Sequence, residues 1–80
     1  MDSPNPLVYR TLAIATVRGA PDADHVEILG LPSARIFRLN RDRPDFPQLL
    51  DRLRTAAASG RPVQLGFINE RSDVIEDVVA

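Results

Sequence analysis

Side chains able to do chemistry are few in this chain and gather in one place: Asp22, Asp24, His25 and Glu27. Carboxylates with one imidazole are a donor set for a divalent cation, which takes hard oxygen ligands and accepts a ring nitrogen. The spacing does not suit that use. Asp22 and Asp24 fall in a turn, where aspartate is favoured because its carboxylate bonds to nearby backbone amides. His25 and Glu27 share one face of an extended segment, and His25 is the single histidine. Nucleophilic catalysis would have to join His25 to Ser33, Ser59 or Ser72, and no Gly-x-Ser-x-Gly turn presents any of them. The four glycines are scattered, so no loop cradles phosphate. Without cysteine there is no thiolate nucleophile, disulfide, iron–sulfur centre or Cys-ligated zinc. The expectation is a chain with no catalytic residue, no metal site and no cofactor, and hence not an enzyme.

Binding chemistry is better represented. All ten basic residues are arginine, whose planar fork suits carboxylate and phosphate. Arg35, Arg38, Arg41 and Arg43 gather around Phe37, a grouping suited to gripping the backbone of single-stranded RNA or DNA and stacking a base. Two features oppose that use. Arg35 and Arg38 point to opposite faces of a strand with Phe37 in the apolar phase, and Asp42 and Asp45 dilute the charge. The net charge of -1 argues against a protein built only to hold nucleic acid or an anionic membrane. Farther along, Glu70, Asp73, Glu76 and Asp77 make an acidic end. Opposite charges so separated can pair within one molecule or steer one copy's strand edge onto the next. Leu12 and Ile14, on a strand apolar on both faces, and Glu76 and Asp77, on a strand guarded by acid, are the expected residues of such an edge contact.

The elements that must position these residues follow from periodicity. Phe46, Leu49, Leu50, Leu53 and Ala57 make one helical stripe, with Gln48, Asp51, Arg52 and Thr55 on the wet side. Asp45 is placed to cap the start and Pro47 falls in the first turn. Gly60 takes the left-handed position and Pro62 prevents continuation, so the helix is predicted over Asp45–Ser59. Three strand-like segments precede it: Leu7–Arg18, His25–Gly30 and Ala34–Asn40. Two follow, Val63–Ile68 and Asp73–Val79, and Gly66 marks a bulge or a close backbone approach. Residues 1–6, with two prolines, read as a loose arm ahead of one domain over 7–80. Their lack of a positive, then apolar, run points to the cytoplasm, and no stretch reaches the ~20 apolar residues that span a bilayer.

The order β-β-β-α-β-β is that of a small five-stranded antiparallel barrel. Leu49-Leu50, then Ala56-Ala57-Ala58-Ser59-Gly60-Arg61-Pro62-Val63-Gln64-Leu65, then Asp73-Val74-Ile75-Glu76-Asp77-Val78 resembles the closing segment of OB-type barrels, where an Ala-rich helix end and Gly-x-Pro-Val lead into a hairpin. The Sm-like barrel is the neighbouring resemblance. It usually carries its helix first, and its Asp-x-x-Asn in the middle strands and Arg-Gly near the end are missing here, so none of its RNA contacts transfers to a residue of this chain. An open α+β sheet with one helix is the alternative architecture. A chain of 80 residues with no disulfide and no metal is marginal alone and often leans on a second copy. The functional expectation is therefore a small β-barrel binding or interaction module that forms homo-oligomers through strand edges, with single-stranded nucleic-acid binding as the alternative and no membrane partner.

Overall fold

The first strand, β1 (Val8–Arg18), changes face part-way along its length. Its pairing slips between Ile14 and Thr16, which leaves Ala15 as an extra residue. Ile14 is buried before the slip, and Val17 turns to the same core after it. Both alternate sets of β1 are apolar because one inward face shifts phase at a bulge. The strand does not bury two faces.

The computed structural model describes residues 7–19 and 22–79. The expected N-terminal arm, residues 1–6, lies outside them, as do Ala20 and Pro21 of the turn after β1. β2 (His25–Leu31) and β3 (Arg35–Asn40) complete a meander before α1 (Phe46–Ser59), and β4 (Val63–Phe67) and β5 (Asp77–Val79) follow it. All strand pairs are antiparallel, in the order β3-β2-β1-β4-β5. The fold is thus mainly β with one helix between the third and fourth strands, as expected.

The sheet is open rather than closed into a barrel, and the reason lies in the residues before β5. A strand over Asp73–Val79 would be needed to pair with β3 and β4 together. Instead the chain divides its bonds between them. Asp73 accepts from the Arg38 amide and Ile75 donates to the Arg38 carbonyl, both at 2.8 Å, whereas Glu76 donates to the Gly66 carbonyl of β4 at 2.7 Å. One parallel bridge, Arg38 with Val74, spans the gap between the sheet's edges. β5 proper is left with three residues.

The helix ends as its chemistry predicts. Gly60 has φ 72° and its amide bonds to the Ala56 carbonyl at 2.9 Å. Its start differs. Asp45 stands at the cap position but makes no side-chain capping bond, because its carboxylate faces Arg43 at 2.9 and 3.2 Å. The core joins Leu49, Leu53 and Ala56 of α1 to Ile28, Phe37, Leu39, Leu65, Phe67, Ile75 and Val78 of the sheet and the strap before β5. Burying each of these large side chains contributes about 1.5–3 kcal/mol. Glycine serves that packing at Gly30, where a Cβ would come within 2.8 Å of the Phe37 ring.

Candidate functional site

The arginines are the starting point, since they were the expected ligand-binding groups. The chain has three phenylalanines, and each lies under a guanidinium. Arg10 covers Phe67, Arg35 covers Phe37 and Arg41 covers Phe46, all at 5.5 Å from the ring centroid. Phe37 and Phe67 meet in turn at 5.1 Å. Arginine can do this because its charge is weakly hydrated and its flat group lies on a ring face. Several of these groups also hold the loops. Arg10 donates to the Glu70 carbonyl, and Arg35 pairs with Asp73 at 2.5 Å.

Arg43 makes the densest set of contacts. It reaches Glu76 through Oε1 at 2.6 Å and through the backbone carbonyl at 2.9 Å, besides the two oxygens of Asp45. It therefore ties the start of α1 to the strap that precedes β5. The Asp45 carboxyl is held below the usual aspartate range chiefly by its hydrogen bond from Arg43, which also keeps the guanidinium charged.

These contacts engage four of the five residues of the expected nucleic-acid surface within the chain. Phe37 is 1% exposed and cannot stack a base. Arg35 and Arg43 are committed to Asp73, Asp45 and Glu76, and Arg41 lies over Phe46. Of the five residues, Arg38 is the one exposed to solvent, and it stands opposite Glu27 across β2. The opposite charges pair largely within the molecule.

The residues of the expected oligomer edge are likewise engaged within the chain. Leu12 and Ile14 lie on β1, which is paired on both sides, and Ile14 is 3% exposed. Neither belongs to an edge. Glu76 is drawn onto Arg43, and Asp77, on the edge strand β5, accepts a bond from Tyr9.

What the sequence reading missed is the outer face of β1–β3. Cross-strand partners there form two rows. Thr16, Leu29 and Ile36 make one, and Arg18, Glu27 and Arg38 the next. Leu31, opposite Ala13, extends the apolar row. Ile36 is 48% exposed and Leu31 40%, high for large apolar side chains on one face. A signal for this was present. Leu29 shares its phase with His25 and Glu27, and Ile36 shares its phase with Arg38, so both sit where a strand should be polar.

Of the Asp22, Asp24, His25 and Glu27 cluster, Asp24 and His25 meet at 3.0 Å, and this hydrogen bond lowers the Asp24 carboxyl below its usual range. Among the described residues no group of three or more His, Cys, Asp or Glu is placed to hold a metal ion. No helix among them is long and apolar enough to cross a membrane. Comparison of the chain with protein-family models, with curated proteins and with solved structures finds no match.

Proposed function

We propose that this protein is a non-enzymatic interaction module that self-associates through the outer face around Leu29, Leu31 and Ile36. The observation that carries the reading is the exposure of Ile36 beside its cross-strand partner Leu29. The sheet edges are less suited to the task than the sequence suggested. At β3 the Arg38 amide and carbonyl are already bonded to the strap, and β5 is three residues long with Asp77 on it. A face contact needs neither edge. The flanking charges alternate in sign along the row Arg18, Glu27, Arg38, which favours a defined docking over general stickiness.

Kinship with OB-type or Sm-like barrels belongs to this reading at the level of strand order. The sequence β-β-β-α-β-β and the parallel Arg38–Val74 bridge support it. A cytoplasmic homo-oligomer remains the setting proposed. Light scattering over a wide concentration range tests the reading: the mass should rise above the monomer with concentration, and a constant monomer mass contradicts it. Retention of a single-stranded RNA at low salt, lost on Arg38→Ala, would favour the nucleic-acid alternative instead.

A further inference from the structure

Arg18, Glu27 and Arg38 follow one another across β1, β2 and β3 with alternating sign, and all three are exposed. None of them makes an ion pair among the described residues. Glu27 and Arg38 are cross-strand partners, as are Leu29 and Ile36 in the next row. β2 and β3 thus carry two adjacent couples, one of opposite charge and one apolar. We infer that a second copy docks about a twofold axis parallel to the strands and midway between β2 and β3, so that Glu27 of each copy meets Arg38 of the other. The inference rests on the self-association reading and adds to it a closed dimer of defined register.

Symmetry places the axis. A contact between two identical faces is isologous, and aligned sheets admit a twofold axis along the strands or across them. An axis along β1, β2 or β3 lays that strand's charge on its own copy. An axis between β1 and β2 sets Glu27 on Arg18 but Leu29 on Thr16, and carries Ile36 off the contact. Across the strands, an axis through the charged row again sets like on like. One through the apolar row sets the charges against Leu31 and Ala13, and one between the rows sets Glu27 on Leu29. Both of these bury a charge on apolar surface. Midway between β2 and β3 the operation exchanges the two strands. Glu27 then lies on Arg38 twice, and Leu29 on Ile36 twice.

Exposure agrees with that placement. Ile36 and Leu31, the two exposed apolar side chains of this face, stand on the two strands that flank the axis. Thr16 and Arg18 of β1 fall outside the contact, where a hydroxyl and a solvated charge lose nothing. The two Glu27–Arg38 pairs close one end of the apolar strip. Charges so placed fix register and exclude wrong dockings more than they add affinity. Because each patch is used up by the other copy, the assembly closes at two chains.

The test is charge reversal in two separate chains, read by sedimentation equilibrium at low salt. Glu27→Arg sets two like pairs across the axis, and Arg38→Glu does the same with the other sign. Each alone should self-associate about tenfold or more weakly than the wild type. In their equimolar mixture both pairs are opposite again, so it should associate at least as tightly as the wild type, with a mass that levels off at the dimer. Glu27→Arg mixed with Arg61→Glu, reversed away from this face, controls for net charge and should associate no more tightly than Arg61→Glu alone. All three side chains are exposed, and amide NMR spectra verify the folds. Should a reversed chain not fold, Glu27→Gln and Arg38→Gln remove the charges singly and should each weaken association about threefold. An Arg38→Glu chain that associates as well as the wild type, a mixture no tighter than its parts, glutamine variants equal to the wild type, or a mass growing past the dimer would overturn the twofold register. If wild-type association and its loss on Ile36→Asp survive such a result, the contact face stands and the register alone falls. A wild type that stays monomeric removes both.

Discussion

The Tyr9 hydroxyl donates to Asp77 Oδ2 at 2.6 Å across Gly66, which lies between the two in the sheet. A Cβ at Gly66 would meet the Tyr9 ring at 3.0 Å and Asp77 at 3.1 Å. The glycine is there so that a ring can lie flat over the strand and join β1 to the edge strand β5.

That contact has a clean optical readout, because Tyr9 is the single tyrosine. The hydrogen bond to Asp77 raises the phenol above its ordinary value of 10.0. A group whose value is raised on folding contributes stability that is complete below its unfolded value and is lost as pH rises through the folded one. The contribution is therefore whole at neutral pH and disappears above about pH 10. Tyrosinate absorbance should place the wild-type transition above that of Asp77→Asn. Identical transitions would mean that the bond does not persist in solution.

Arg43 links α1 to the strap, so its loss should be felt far from the helix. Arg43→Lys keeps the charge but cannot reach Asp45 and Glu76 together with a planar fork. It should cost about 1 kcal/mol in urea unfolding, at the low end for charged hydrogen bonds because the partners are partly solvated. Asp45 adds a pH dependence of opposite sense to Tyr9. Its folded value is lowered, so its contribution is present above about pH 4 and is lost as pH falls through the lowered value. The stability gap between wild type and Arg43→Ala should narrow in acid. A gap constant from neutral pH to pH ~3 would contradict the pairing.

Gly30 and Gly60 predict different costs for the same substitution. Gly30→Ala drives a methyl to within 2.8 Å of the packed Phe37 ring and should cost about 1–3 kcal/mol by overpacking. Gly60→Ala meets nothing within 4 Å, so its cost is the left-handed backbone alone, about 1–2 kcal/mol. Crystal structures or NMR spectra should separate them: Gly30→Ala displaces Phe37 and Phe67, and Gly60→Ala leaves the core unchanged.

The helix was legible to within one residue because its limits are set locally, by the stripe from Phe46 to Ala57, by Gly60 and by Pro62. Strands β2 to β4 were legible for the same reason, as each alternates over a short run between turn residues. The bulge at Ala15 was hidden, since alanine and threonine fit either face and the slip is defined only by the partner strand. The shortness of β5 was hidden too. Whether Ile75 bonds to Arg38 or to β4 depends on residues far away in the chain. Arg43 read as one of the nucleic-acid contacts because Glu76, its main partner besides Asp45, stands 33 residues on. The apolar outer row had a local sign, Leu29 and Ile36 in polar phase, but their meeting across β2 and β3 depends on the strand register.

The most direct test of the account is sedimentation equilibrium of the wild type against Ile36→Asp. Ile36 is exposed, so the variant should unfold at the same urea concentration as the wild type. The contact rests on a single row of apolar side chains, so the wild type should associate weakly, with a Kd on the order of 10–100 μM. Ile36→Asp should weaken that association by about tenfold or more, the loss of one well-buried apolar side chain. Equal association of the two proteins, or a wild type that stays monomeric at millimolar concentration, would contradict the proposed contact face.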